Sequence, residues 1–254
     1  MKLLDLLNAP LRAAGFELHK RDAWRAPEDW FHEWSHLEIT ARRLEHIASL
    51  RLPLRDKSVL EVGAGIGDLS GFFLNRGCRV TITEARESNL AYIRRRFPKS
   101  TVAFLDLDTP ADVAGGPFDV VSCFGLLYHL GRPAEALHAL AGQCRELLVL
   151  ETCVSFGAES DVHLVDENIK SPTQAFTGHG CRPTRPWIME TLRRDFAHVY
   201  VPRTQPDHAQ FPIEWTQPEA HLAPLSRAVF LASRAPLYNE QLLTELPDRQ
   251  ERMP

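Results

Sequence analysis

The stretch VLEVGAGIGDLSGFF, from Val59 to Phe73, constrains this 254-residue chain more than any other. Val59, Leu60 and Val62 make a short apolar run. Gly63, Gly65 and Gly67 then allow a tight turn without a Cβ, and Leu69, Phe72 and Phe73 resume at helical spacing. The pattern predicts a buried strand, a glycine loop and a helix. A dinucleotide fingerprint needs glycine at its first, third and sixth positions, but here Asp68 holds the sixth and Gly67 the fifth. A pyrophosphate-binding loop is therefore disfavoured.

At these residues the chain resembles the class I S-adenosylmethionine-dependent methyltransferases, whose first motif has the form E-x-G-x-G-x-G, with Glu61 just ahead of the glycines. An anionic Glu61 suits a sulfonium with an α-amino group better than it suits a phosphate, and the glycines let the backbone approach a ligand's amino-acid part. The resemblance implies S-adenosylmethionine as cofactor, S-adenosylhomocysteine as its product, and Gly63, Ala64, Gly65 and Gly67 as the cradle.

The remaining pattern alternates strands and helices. Arg79 to Thr83 reads as a second strand, and Glu84 stands at its carboxyl end, about 20 residues beyond the first glycine, where a dinucleotide-type fold places its ribose-binding acid. Glu84, with Ala85 beside it, is the expected ribose site. Thr101 to Leu105 forms a third strand, and the resemblance implies that Asp106 and Leu107 contact the adenine. Asp108 is the rival, or else a turn cap. Strands at Phe118 to Cys123 and Leu147 to Thr152 enclose a helix beginning at Pro133. Uninterrupted apolar strands between helices mean a mostly parallel sheet covered on both faces. The expected fold is α/β and Rossmann-like, with seven strands, and the resemblance implies that the last (Ala228 to Ser233) enters antiparallel beside the sixth (His198 to Val201).

Three additions surround this frame. Residues 1–56 are expected to form an N-terminal helical cap, with a break at Pro10 and an amphipathic helix from Glu28 to Leu50. Its buried stripe reads as Trp30, Trp34, Leu37, Ala41, Leu44 and Ile47 or Ala48, and Trp30, Phe31, His32, Trp34 and His36 crowd its first turns as a roof over a pocket. The methyltransferase domain is expected over 57–236, with lid insertions at 155–183 and 202–224. Residues 237–254 read as a tail, either a frayed helix or disordered.

The catalytic candidates follow the fourth strand in FGLLYHLGRP. Phe124 is placed by the resemblance near the donor, and Tyr128 and His129 near the acceptor, His129 having the intrinsic pKa range of a general base or else a structural role. Glu151, His163, Glu167, His179, Arg182 and Arg185 are second-rank candidates. His163 and Glu167, four apart, would share a helical face, but two ligands do not make a metal site, and none is assigned.

A formal charge of −4 and a pI near 6.3 lack the signature of a phosphate-binding surface, so a small-molecule acceptor, with a hydroxyl as nucleophile, is expected in preference to nucleic acid. The stretch GLLYHLGRPAEALHAL followed by LLVLET also resembles the bacterial tRNA wobble-uridine carboxymethyltransferases, over residues 118–154. A tRNA-modifying enzyme is thus the alternative, as is a non-catalytic S-adenosylmethionine-binding module. Five cysteines without a C-x-x-C pair fit a reducing compartment, and no apolar run approaches a membrane span, so a cytoplasmic location is expected.

Overall fold

The computed structural model describes residues 3–16, 26–169, 171 and 173–253. Among them, five parallel strands lie side by side in one sheet, with β3 at its edge: β1 (Ser58–Val62), β2 (Arg79–Glu84), β3 (Thr101–Phe104), β4 (Phe118–Phe124) and β5 (Cys144–Cys153). Beyond this core come a ribbon of β6 (Val162–Asp166) and β7 (His179–Pro183), then β8 (His198–Pro202), β9 (Thr204–Gln205), β10 (Arg227–Ser233), β11 (Leu242–Leu243) and β12 (Glu251–Arg252). The main sheet has eight strands in the order β11-β8-β10-β5-β4-β1-β2-β3. β10 runs antiparallel between β5 and β8, as expected. The chain moves outward from β1 through β2 to β3 and then returns to β4 on the other side, which makes the carboxyl edge beside β1 the switch point where such sheets bind ligands.

Strand alternation sends side chains to two opposite cores. Leu60, Val62, Val121, Cys123, Leu148 and Leu150 pack with Leu137 and Leu140 of α6 (Pro133–Gly142) and with Ile188 and Leu192 of α7 (Arg185–Arg193). On the other face Val59, Val120, Leu147 and Val149 meet Ile47 and Leu50 of α3 (Trp34–Ser49), Phe73 of α4 (Ser70–Leu74) and Ile93 of α5 (Glu87–Arg96). Both faces are covered, as the unbroken apolar strands require.

Four expectations are corrected. The eighth strand is β11, which pairs with β8, so residues 242–243 are neither frayed helix nor disorder. Gln250 further anchors this end, accepting from Trp215 Nε1 at 2.8 Å and donating to the Pro202 carbonyl at 2.6 Å. Pro10 lies inside α1 (Leu3–Ala13) rather than at a break. The helix from Glu28 to Leu50 is two: α2 (Pro27–Phe31) ends at His32, and α3 begins after Glu33.

The fourth correction concerns the buried face of α3. Ile39, His46, Ile47 and Leu50 are buried, whereas Trp34 is 77% exposed and Leu37 41% exposed. With the half-buried His36, Thr40 and Arg43, this face keeps helical spacing but is largely polar, because its upper half looks into a pocket.

Candidate functional site

The glycine loop leaves β1 with Gly63 at φ +61° and Gly65 at φ +60°, backbone conformations that only glycine adopts without strain. Both positions are also crowded. A Cβ on Gly63 would come within 2.7 Å of Leu126, and one on Gly65 within 2.6 Å of the Phe31 ring. Phe31, from α2, therefore lies directly against the loop.

Glu84 braces the loop from the end of β2. Its Oε2 accepts from the Gly65 N–H at 2.8 Å, and its Oε1 from those of Ala85 and Arg86 at 2.9 and 3.0 Å. Burial pushes its pKa up, and the three N–H groups only partly restore the charged form. A carboxylate offers about four acceptor positions, so room remains for one more donor. After β3, Asp106 forms a local turn, accepting from the Asp108 N–H and the Thr109 hydroxyl. Asp108 instead accepts from the N–H groups of Gly131 and Arg132 and from Thr177, tying two loops together.

Of the ten expected cofactor residues, Gly63, Ala64, Gly65, Glu84, Ala85, Asp106, Leu107 and Phe124 line a single pocket at the switch point. Glu61 and Gly67 are not among its lining residues. Glu61 is fully buried; its Oε2 accepts from Ser70 at 2.5 Å, while Oε1 has no hydrogen-bond partner among the described residues. Desolvation pushes its pKa up to about 7, against the Ser70 hydrogen bond.

Tyr128 and His129 lie in a 3-10 turn (Leu127–His129) beyond β4, and both line the pocket. His129 Nδ1 donates to Glu167 Oε2, a residue that follows β6, and Ala175 N–H donates to the same oxygen at 2.8 Å. Burial lowers the His129 pKa, and the Glu167 carboxylate only partly compensates, so the imidazole is neutral near pH 7. Burial acts to raise the Glu167 pKa, but its contact with His129, the Ala175 N–H and the Arg182 guanidinium together leave it lowered. Glu167 is thus ionised, which fixes the proton on Nδ1 and leaves Nε2 as an acceptor.

Tyr128 accepts from Arg227 at 3.2 Å, and its ring centroid lies 3.9 Å from that of His129. Arg227, the first residue of β10, also donates to Glu151 Oε1 at 3.1 Å and to Gln210 at 2.7 Å. Arg43 of α3 approaches the other Glu151 oxygen at 2.7 Å.

Among the second-rank candidates, Glu167 and Arg182 therefore join the His129 cluster, with Arg182 3.4 Å from Glu167. Glu151 lies buried between two arginines. His163 is on a strand, which removes the helical face it was expected to share with Glu167, and it pairs instead with Asp161 at 3.6 Å. His179 faces Asp166 at 3.4 Å. Arg185 is elsewhere, donating to the Pro247 carbonyl and lying 3.8 Å over the Trp215 ring. Among the described residues no group of three or more His, Cys, Asp or Glu is placed to hold a metal. In the aromatic roof, Phe31 and His36 line the pocket, whereas Trp34 points outward. Sequence reasoning missed Arg43, Arg86 and Arg227. The one available signal was Arg227 itself, a charge opening the otherwise apolar strand RAVFLAS.

A doubly covered parallel sheet with a glycine cradle and two strand-end acids at its switch point defines the nucleotide-type α/β class. Within it, residues 26–218 match the family model described as methyltransferase domain, and the chain belongs to that family. It is 34% identical over 124 residues to the ubiquinone biosynthesis O-methyltransferase of Azotobacter vinelandii, covering 42% of this chain and 51% of that protein. The protein of the same name from Hahella chejuensis is 32% identical over 125 residues, at 45% and 52% coverage. The chain spans about half the length of the curated relatives it matches. Among solved structures, the N-terminal domain of EvdMO1, crystallised with S-adenosylhomocysteine and D-fucose, superposes with a TM-score of 0.58 at 19% identity, covering 76% of this chain and 82% of that one. The Burkholderia thailandensis 1,6-didemethyltoxoflavin-N1-methyltransferase gives 0.50 at 20% identity, covering 93% and 92%. These likenesses establish the fold. Among the described residues no helix is long and apolar enough to cross a membrane.

Proposed function

We propose that the chain is an S-adenosylmethionine-dependent methyltransferase that methylates a hydroxyl of a small molecule, with His129 as the base. The observation that carries this reading is that the glycine cradle, Glu84 and His129 line one pocket at the switch point. The pocket fits the donor on two counts: glycine positions with positive φ, and a carboxylate with acceptor capacity left at the end of β2. Glu84 would hold a ribose hydroxyl, Asp106 the adenine amine, and Leu107 and Phe124 would contact the donor. The relatives named as O-methyltransferases support the choice of oxygen as nucleophile.

The bound donor supplies an electrophilic methyl group. The chain's own part is to hold the acceptor oxygen in line and to take its proton. With Nδ1–H committed to Glu167, His129 Nε2 accepts the hydroxyl proton as the oxygen takes the methyl group. Enclosure by α2, α3 and residues 173–176 favours a small acceptor over an extended polymer.

Calorimetry with S-adenosylhomocysteine tests the donor site; binding by the wild type and its loss in Gly65→Val combined with Glu84→Ala are expected, and no wild-type binding overturns the reading. Methyl-labelled donor incubated with a mixed metabolite extract tests turnover. Label in an ether product is expected, whereas binding without any transfer would make the chain a non-catalytic module.

A further inference from the structure

The inserted ribbon reaches the turn that carries Tyr128 and His129 through three consecutive residues of β7. A Cβ on Gly180 would come within 2.5 Å of the Tyr128 carbonyl oxygen and 2.8 Å of Glu167 Oε1, so only a glycine lets the strand pass this close. The Cys181 thiol donates to the Leu127 carbonyl at 3.3 Å, and Arg182 Nη1 donates to the Tyr128 carbonyl at 3.1 Å. The same guanidinium lies 3.4 Å from Glu167 Oε1 and 5.2 Å from the centre of the Tyr128 ring.

Glu167 is therefore engaged at both oxygens. Oε2 accepts from His129 Nδ1 and the Ala175 N–H, and Oε1 faces Arg182. The Glu167 side chain is 3% exposed and that of Arg182 23%, so water does little to weaken their attraction. For a base this third partner matters. A buried carboxylate with no charged neighbour except an imidazole stabilises the imidazolium, and the ring is then protonated before an acceptor arrives. A guanidinium on the far oxygen draws on the same negative charge and weakens that pull. The charged and titratable groups facing His129 are Tyr128 beside it, Glu167 after β6, Arg182 on β7 and Arg227 on β10. Of these Glu167 favours the imidazolium, and both arginines oppose it. Arg182 is not among the residues that line the pocket, so it acts on His129 through Glu167 and the turn rather than through either substrate.

We propose that Arg182 is a positioning residue for His129: it fixes the Glu167 carboxylate and the Tyr128 carbonyl and shares the carboxylate's charge, so that His129 Nε2 stays a free acceptor. The inference rests on the methyltransferase reading above and adds to it a residue from the inserted ribbon. The ribbon on this account is part of the base's support and not only a cover.

The test uses the full chain labelled with ¹⁵N-histidine, with the ring of His129 followed by NMR across pH and assigned by its loss in His129→Gln. In the wild type at pH 7 a neutral ring with its proton on Nδ1 is expected. Arg182→Met, which keeps the length but not the charge, is expected to move the midpoint upward by about one pH unit, opposite in direction to Glu167→Gln. Arg182→Lys, which restores the charge, should bring it most of the way back. Each variant is shown to be folded by its S-adenosylhomocysteine-induced rise in Tm. An unmoved midpoint in Arg182→Met, with only Tm reduced, overturns the proposal. So does a wild-type ring that at pH 7 is an imidazolium or carries its proton on Nε2, a result that requires no variant to fold. Absence of any S-adenosylhomocysteine-induced rise in the wild type sinks the methyltransferase reading instead, while the His129 titration stays readable, so the two failures are distinguishable.

Discussion

His129 and Glu167, 38 residues apart in the chain, share a hydrogen bond that joins the turn after β4 to the segment following β6. The bond orients the imidazole, fixes its tautomer and ties the inserted ribbon to the pocket. His129→Ala is expected to lower kcat by about 10²-fold while S-adenosylhomocysteine affinity stays nearly intact. Glu167→Gln separates orientation from mere support through the pH profile. The carboxylate favours the imidazolium, so its removal lowers the His129 pKa further and moves the acid limb of kcat/KM to lower pH. An unmoved limb, with only Tm reduced, would mean that Glu167 acts structurally.

Phe31 against Gly65 leads to a second prediction. Gly65→Ala must place its Cβ in the ring's space and hold φ near +60°, so donor-product binding should weaken at least tenfold. Adding Phe31→Ala relieves the clash but not the backbone strain, and should restore only part of the affinity. Full restoration in calorimetry would show that φ at this position is unimportant.

Arg86 stands beside Glu84 and donates to the carbonyls of Ile169, Gln174 and Ala175, so the strand end that braces the glycine loop also holds the segment over the pocket. Arg86→Ala is expected to speed proteolytic cleavage between residues 168 and 177 and to weaken S-adenosylhomocysteine binding several-fold. Added ligand should slow the cleavage in the wild type more than in the variant.

The part of the pocket proposed for the donor was legible in the sequence because it is local. Glycines at Gly63 and Gly65, an acid at Glu84 and another at Asp106 sit at strand ends whose apolar runs declare themselves. The side around His129 was legible only in part: Tyr128, His129, Glu151 and Glu167 stood out as candidates, but their partners Arg43 and Arg227 did not, because they come from separate elements and meet them only through the sheet order. The same cause explains the misread helix. A face that lines a pocket carries His36, Thr40 and Arg43, so the apolar stripe read from Trp34 and Leu37 pointed to the exposed side. The ribbon of β6 and β7 and the two-residue β11 were missed for another reason. Exposed Leu164 beside exposed His163 breaks the alternation of one strand, and two residues are too few to show any period.

The last prediction concerns two buried groups that titrate against each other. His46 is buried with Nε2 3.0 Å from the Thr204 carbonyl, and desolvation, only partly offset by that bond, lowers its pKa to about 4. Between about 4 and its ordinary value of 6.5 the unfolded chain takes up a proton that the folded one refuses, so stability rises with pH. Glu61 has the opposite sign. Its pKa is raised from 4.5 to about 7, so the stability of its protonated form is full below 4.5 and is lost as pH rises through 7. From pH 4.5 to 6.5 the two contributions oppose each other, each with a slope of up to about 1.4 kcal/mol per pH unit. His46→Gln, which keeps a donor for Thr204, should therefore make the ligand-free protein lose stability relative to wild type as pH rises across this window. Glu61→Gln should make it gain by a comparable amount, about 2–3 kcal/mol in each case. Urea denaturation of both variants and the wild type at pH 4.5, 5.5 and 6.5 measures the slopes. Parallel profiles for all three would show that neither group has the shifted pKa that its burial implies.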